Sequence, residues 1–303
     1  MNYSIIIPHK NCPELLERCL SSIPVRNDIQ VIIVDDNSDS KIVDFNNFPG
    51  NNRPNTEIYF TKEGKGAGYA RNVGLKHAKG KWLLFADADD FYNKDAFTTL
   101  DSYIDSNYDI VHFLANSIDI TTGEDSPREK KLERFYKRYK PDDIRSHDYI
   151  RFKSWEPWNK MIRYDFWAKY KIAFDEIPFG NDFNFSMKLS FLSRKYTIIQ
   201  KKLYCLTYLP NSITFKFRAF ETESLTFGLR AQMNTYFRKI GRGCSWHRYD
   251  AVLLLQELKW KGLKYGLGFI AYYIRNFNKI SQMERDKEKE IKTFFKEHNL
   301  IKH

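Results

Sequence analysis

Five aspartates in two tight groups are the residues of this chain best suited to hold a hard cation. Asp87, Asp89 and Asp90 follow the apolar run of "KWLLFADADD", and Asp35 and Asp36 follow that of "IQVIIVDD". Carboxylates crowded at the end of an apolar segment repel one another, and Mg2+ or Mn2+, which prefers oxygen donors, relieves that repulsion most directly. Asp87-Ala88-Asp89 therefore reads as a metal site. A further acid, Asp182, follows Gly180 and Asn181 in "FGNDFNF" and adds to this reading. The bland alternative is a pair of polar turns, and residue type alone leaves both open.

The segments around these acids say how they would be positioned. "YSIIIP", "IQVIIVDD", "TEIYF" and "KWLLFA" are short runs of β-formers, while "CPELLERCLSSI" and "GYARNVGLKHAKG" carry helical spacing. Pro13 suits a first helical turn. Strand, helix, strand, strand, helix, strand predicts a largely parallel sheet with helices on its faces, and such sheets bind ligands at the carboxyl ends of their strands. Both acidic groups fall at those ends. Further on, "YDIVHFLAN" reads as a strand, "FGNDFNFSMKLSFLSR" as a turn and helix, and "YTIIQKKLYCLTYLPNSIT" as two more short strands. Arg128 to Lys140, "REKKLERFYKRYK", is amphipathic and carries seven Lys/Arg against two Glu, as either a helix or a mobile loop. From about Phe215 the pattern is helical to the end.

Composition narrows the function classes. With 42% hydrophobic and 16% aromatic residues the chain lies outside the regime of disordered proteins. A net charge of +11 calls for an anionic partner: a nucleotide, a nucleic acid or an anionic membrane face. The N-terminus has no basic region followed by a long apolar stretch, so no signal peptide is expected. The longest uncharged apolar run, Gly266 to Ile274, is too short to cross a bilayer. Cys12, Cys19, Cys205 and Cys244 lack CxxC spacing and suit reduced thiols of a cytosolic protein.

Asp-x-Asp behind a strand serves two chemistries. Haloacid-dehalogenase-like phosphatases use it as nucleophile and acid/base, but they expect Thr or Val where this chain has Phe91, and a later Lys and acidic pair that are not apparent here. Taken in order, "SIIIPHKN", "VIIVDDNSDS", "GAGYARNVGLKHAKG" and "KWLLFADADD" instead resemble the inverting family 2 glycosyltransferases of the GT-A fold. The likeness is strong over residues 3 to 100. It continues more weakly to about 215 through "WNKMIR", "GNDFNF" and "YLPNSIT", as in capsule and lipopolysaccharide members.

The resemblance implies roles. Pro8 would abut the uracil of a UDP-sugar, and Asp36 would accept its N3–H, with Asp35 beside it. Arg71 and Asn72 would line the nucleotide, Arg71 facing a phosphate or organising Asp87. Asp87 and Ala88 would touch the ribose or the sugar, Asp89 would ligate Mn2+ or Mg2+, and Asp90 would support the site from behind. Asp182 would be the general base, or else merely the cap of the helix after it. In the family a Glu precedes this Asp; Asn181 stands there instead, which puts the orienting or acceptor-binding role of that Glu in doubt. Trp155, Trp158 and Lys160 would sit with Asn181 on the acceptor side, Ser212 and Thr214 on a loop over the diphosphate. His247 is set aside as a lone histidine. No glycine-rich loop follows the first strand, so the metal would have to carry the diphosphate charge.

The expected fold class is thus α/β of the GT-A type, a Rossmann-like, mostly parallel sheet flanked by helices, with a helical C-terminal extension. The catalytic domain would span 1–215, nucleotide-binding over 1–100 and acceptor-binding over 101–215, followed by a basic, aromatic region over 216–303. The expected activity is inverting, metal-dependent transfer of a hexose or N-acetylhexosamine from a UDP-sugar to a glycan or lipid-linked glycan of a bacterial surface polysaccharide. The alternatives are the phosphatase and a non-enzymatic basic membrane- or nucleic-acid-binding module. Basic residues outside the motif-bearing half form no recognised nucleic-acid module, so no nucleic acid is expected. Gln256 to His303 carries eleven Lys/Arg, six Asp/Glu and many large aromatics. Two readings of it stand level: a packed structural region, or a peripheral contact with the inner membrane face.

Overall fold

The computed structural model describes residues 1–208, 219–240, 259 and 262–300. The chain forms two compact units, Met1–Pro210 and Asn211–His303.

The first unit is built on an eight-stranded sheet of order β3-β2-β1-β4-β7-β6-β8-β5. β1 (Tyr3–His9), β2 (Ile29–Asp36), β3 (Thr56–Thr61) and β4 (Trp82–Phe85) run parallel. Residues 5–7 of β1 and 31–34 of β2 are fully buried, as strands covered on both faces must be. β7 (Lys160–Arg163) is antiparallel to both β4 and β6 (Ile110–Asp119), and β6 is parallel to β8 (Tyr196–Tyr208). A two-residue strand, β5 (Phe91–Tyr92), pairs antiparallel with β8 directly after the aspartates.

α1 (Pro13–Ser21) starts at its proline and buries Leu16, Cys19 and Leu20. α2 (Ala67–His77) lies close on β1 at Gly74 and close on the segment of Asp175 at Gly68. A Cβ on Gly74 would stand 2.5 Å from Ile6 Cγ2, and one on Gly68 would stand 2.1 Å from the Asp175 carbonyl. The residue before the helix, Gly66, has φ +92°, which only glycine adopts readily.

The sequence reading needs two adjustments here. The segment 196–208 is one 13-residue strand rather than two short ones. Phe113 pairs with Ile199 but Leu114 with Lys202, so the ladder slips at Gln200 and Lys201 without ending the strand. Of the two readings of Arg128–Lys140, the helix holds: α4 (Pro127–Tyr136) is capped by Ser126 Oγ, which accepts the Arg128 N–H at 3.1 Å. α5 (Ile144–Lys153), a 3-10 turn at Pro157–Asn159, α6 (Tyr164–Tyr170) and α7 (Phe183–Leu192) complete the first unit, with the short α3 (Ala96–Asp101).

In the second unit α8 (Phe220–Lys239) packs against the helix Phe277–Glu297, joined by an Arg230–Glu284 ion pair of 2.6 Å. Phe227, Phe269 and Ile280 form its core, Phe269 coming from the helix Leu263–Arg275. Among the described residues no helix is long and apolar enough to cross a membrane. Cys19 and Cys205 are buried and Cys12 partly so, all three as free thiols; Cys244 lies outside the described residues.

Candidate active site

β2 ends in two aspartates with different surroundings. Asp35 is 1% exposed. Its Oδ2 accepts from His9 Nδ1 at 2.7 Å and from Ser38 Oγ at 2.5 Å, and its Oδ1 accepts the Ser38 N–H at 2.9 Å. His9 Nε2 in turn accepts the Cys12 N–H, so a neutral ring protonated on Nδ1 satisfies both ends. Burial pushes the Asp35 carboxyl up, but the bonds from His9 and Ser38 outweigh it and hold the group below its ordinary range. This corrects the expected nucleotide contact: both Asp35 oxygens are committed to joining the loops after β1 and β2. Asp36 differs. Its Oδ2 accepts the Gly66 N–H at 2.8 Å, whereas its Oδ1 is buried without a hydrogen-bond partner among the described residues. An acceptor left open in this way is what the imide N–H of a uracil requires. Pro8, partly exposed, stands beside His9 at the same edge.

The second group is held from three sides. The Asp87 N–H donates to the Tyr204 hydroxyl at 2.9 Å. The Asp89 carbonyl accepts from Arg18 Nη2 at 2.5 Å and from Thr207 Oγ1, and Asp90 Oδ1 accepts the Thr207 N–H at 2.7 Å. Asp90 is buried, 4% exposed. The Ala88 methyl lies in the core cluster, so any ligand contact there is made by main chain, a narrowing of its expected role. Arg71, on α2, donates through Nη2 to Asp87 Oδ1 at 2.5 Å and through Nη1 to Asn181 Oδ1 at 2.9 Å. Of its two expected roles, organising Asp87 is the one the geometry displays. Asn72 is corrected as well: its amide donates to the Phe174 carbonyl and accepts the Phe174 N–H, which fixes that segment against α2.

Asp182 heads α7, yet its side chain makes no capping bond; only its carbonyl serves the helix, accepting the Ser186 N–H at 3.0 Å. The cap reading is therefore set aside. Burial raises its carboxyl to about 6, Arg71 opposes the rise, and Glu156 adds to it. Trp155 is half-buried and meets Phe183, the next residue, edge to face at 5.5 Å. It is the tryptophan available beside Asp182.

Two acceptor-side residues are displaced inward. Lys160 is 0% exposed, and its Nζ donates to the Ser154 and Glu156 carbonyls and to Asn159 Oδ1 at 2.7, 2.5 and 2.7 Å. Burial lowers its pKa to about 8. Trp158 stacks on Tyr204 with 5.3 Å between ring centroids and so backs the residue that holds Asp87. Neither side chain faces an acceptor; both shape the wall. Ser212, Thr214 and His247 lie outside the described residues.

Whether these residues fit a divalent ion is decided by Asp89. Burial, with the charge of Asp87 next, raises its carboxyl to about 6, while its own backbone N–H and the charges of Arg18 and Arg128 pull the other way. The charged form is still disfavoured on balance, and a bound cation would favour it. No three His, Cys, Asp or Glu side chains converge among the described residues. The set therefore fits an ion held by one or two carboxylates and completed by ligand and water oxygens, as Mg2+ commonly is beside a diphosphate.

Several contributors escape a reading by motif. His9 and Ser38 flank the acids but act on Asp35 through the tertiary fold, and Arg18, Tyr204 and Thr207 arrive from α1 and β8. Glu156 reaches the neighbourhood of Asp182 from a loop.

Residues 4–195 match the family model described as Glycosyl transferase family 2. Among curated proteins the chain is 25% identical over 217 residues to the uncharacterized glycosyltransferase EpsJ of Bacillus subtilis (strain 168), covering 70% of this chain and 62% of that protein. It is 35% identical over 101 residues to the poly(ribitol-phosphate) beta-glucosyltransferase of Bacillus spizizenii, covering 32% of this chain and 16% of that one. The chain thus spans less than two thirds of either relative. Among solved structures, S. aureus TarS 1-349 in complex with UDP-GlcNAc superposes with a TM-score of 0.60 at 21% identity, covering 79% of this chain and 72% of that one. That likeness shows the expected GT-A fold. Spanning well over half of the sequence and containing both acidic strand ends and Asp182, the match establishes that the chain belongs to glycosyl transferase family 2.

Proposed function

We propose that the protein transfers a hexose or N-acetylhexosamine from a UDP-sugar to a hydroxyl of a bacterial surface glycan, with inversion at the anomeric carbon. The observation that carries this reading is the Asp182 carboxylate. Its side chain makes no capping bond to the helix it heads, burial raises its pKa to about 6, and its neighbour Asn181 is tied through Arg71 to Asp87. The acceptor hydroxyl attacks the anomeric carbon from the face opposite the leaving group and gives its proton to Asp182. The anomeric carbon–oxygen bond to the diphosphate breaks, and UDP departs with that electron pair. Asp36 holds the uracil through its open Oδ1, and Trp155 offers a flat face to a sugar of the acceptor. Asp89 is the residue to hold Mn2+ or Mg2+, which when bound supplies positive charge to the diphosphate.

The donor class is supported by the TarS 1-349 chain, crystallised with UDP-GlcNAc and with UDP. The acceptor class is supported by relatives named as a minor teichoic acid biosynthesis protein and a poly(ribitol-phosphate) beta-glucosyltransferase. Incubating the protein with a panel of UDP-sugars and a surface-glycan acceptor tests the reading: UDP release dependent on both substrates is expected, and its absence with every donor overturns it.

The C-terminal unit is proposed to rest on the cytoplasmic membrane face. Leu263, Leu267 and Ile274 are 69%, 52% and 68% exposed at helical spacing, beside Lys264 and Arg275. Co-sedimentation with anionic vesicles at low salt is expected, and Leu267→Lys/Ile274→Lys should abolish it. Equal sedimentation of both proteins would overturn this part.

A further inference from the structure

The sequence singled out the basic segment Arg128 to Lys140, and the reaction above uses none of it. All seven of its cations, Arg128, Lys130, Lys131, Arg134, Lys137, Arg138 and Lys140, are exposed, and none is paired with a carboxylate among the described residues. The two acids of the segment are spent elsewhere. Glu129 is buried, its Oε2 accepting the Ser117 N–H at 2.6 Å and its Oε1 meeting Lys202 Nζ at 2.5 Å, while Glu133 lies 3.9 Å from the same lysine. Apart from Glu133, whose side chain is 47% exposed, the outer face is cationic. Like charges at i, i+4 destabilise a helix unless an anion offsets them.

Spacing makes this face a continuous stripe. Lys130, Lys131 and Arg134 lie on the helix, and Lys137 and Arg138 follow in the turn after it, at three- and four-residue intervals. The stripe starts at the active site. Ser117, which Glu129 holds, pairs with Leu206 on β8, and the next residue, Thr207, binds Asp89 and Asp90. Arg128, in the first turn, also bears on the charge of both aspartates.

The charges of a nucleotide diphosphate sit on two adjacent phosphates and could meet only part of this stripe, and the nucleotide already has its own residues. The stripe exposes no apolar side chain to enter a lipid surface and no ring to stack on a base. Tyr136 turns inward to accept the Ala115 N–H at 3.0 Å, Phe135 packs on Tyr149 at 6.5 Å, and Leu132 packs against the core. What fits is an extended chain with anionic groups at intervals.

We infer that the α4 stripe is a track for a polyanionic acceptor glycan, its repeating groups phosphodiesters or uronates, leading the chain end toward Asp182. This deepens the transferase reading and rests on it.

The test measures binding of fluorescent poly(glycerol phosphate) and polygalacturonate oligomers to the full chain by anisotropy. Neutral dextran, an oligodeoxythymidylate and phosphatidylglycerol vesicles serve as comparisons, and UDP binding is followed in parallel by thermal shift. One anionic glycan at least should bind more tightly than the comparisons, weakening with salt. Lys130→Glu/Lys131→Glu/Arg134→Glu should weaken it by about tenfold or more while leaving UDP binding unchanged. The glutamine triple variant, expected to weaken it in the same direction, provides the measurement if the glutamate variant does not fold. Equal binding by the folded variant, no preference over dextran, or tighter binding of the oligonucleotide or vesicles would overturn the track. If UDP binds and no glycan does, the track alone fails. If the anionic glycan binds through the stripe and UDP does not bind, the transferase reading fails, and the bound glycan's role as acceptor falls with it.

Discussion

Arg71 and Asp87 form an ion pair of 2.5 Å in which the arginine is 7% and the carboxylate 33% exposed. Because the other arm of the same guanidinium holds Asn181, this pair joins the end of β4 to the start of α7. It couples the donor-side aspartates to the proposed base.

Arg71→Ala should therefore lose more than a charge. Removing it leaves Asp87 and Asn181 unpartnered, and a destabilisation of about 2–3 kcal/mol is expected, less than for a fully buried pair because Asp87 is partly solvated. Arg71→Lys keeps the charge but cannot reach both partners, so it should recover only part of stability and turnover. Urea denaturation and steady-state kinetics would check this, and full recovery by lysine would contradict the two-point bridge.

Asp182 sets a pH dependence. A base must be deprotonated, so kcat/KM should rise through about pH 6 and fall roughly tenfold per unit below it. The stability effect has the opposite sense. A carboxyl whose folded pKa is raised stabilises relatively below its unfolded value near 3.8, and that contribution is lost as pH rises through about 6. Asp182→Asn should thus gain about 1–2 kcal/mol at pH 7, after allowance for partial exposure, while turnover falls about 10² to 10⁴-fold. A pH-rate profile flat between 5 and 7 would remove Asp182 as the base.

The two aspartates of β2 should separate by experiment. In Asp36→Asn the amide can keep the Gly66 bond but then presents a donor to the uracil, so UDP binding should weaken about 10- to 100-fold with little change in melting temperature. In Asp35→Asn the bonds to His9 and Ser38 are disturbed, so stability should fall first. Thermal melts with and without UDP distinguish these outcomes, and equal UDP affinities in both variants would contradict the assignment.

Lys160→Met should cost about 2–4 kcal/mol, since three acceptors lose their donor inside the protein. At a temperature where the variant is folded, UDP binding should persist. A variant of normal stability that lost only acceptor binding would restore Lys160 to the surface role read from sequence.

Lys160 also illustrates what the sequence could not convey. The parallel half of the sheet was legible because β1 and β2 carry runs of β-branched residues, β2 ending in acids, with helically spaced segments between the strands. Asp36, Asp87, Asp89 and Asp182 were legible as acids at strand or helix ends. Which way a side chain turns was not. A lysine beside two tryptophans reads as a sugar-binding patch, yet the three carbonyl-type oxygens that draw it inward come from backbone and an asparagine. Likewise, Asp35 and Asp36 are adjacent and identical in type; only His9 and Ser38, brought together by the β1 and β2 pairing, make one a brace and leave the other open. The length of β8 was missed because Gln200 and Lys201 interrupt its apolar pattern at a bulge.

The most direct measurement is UDP release by the purified chain, assayed with a panel of UDP-sugars, a surface-glycan acceptor and Mn2+, in parallel for the wild type and Asp182→Asn. The expected result is acceptor-dependent release with at least one donor by the wild type, and loss of at least a hundredfold in a variant that still binds UDP. Release by the variant at the wild-type rate, or none from the wild type with any donor, would contradict the central claim.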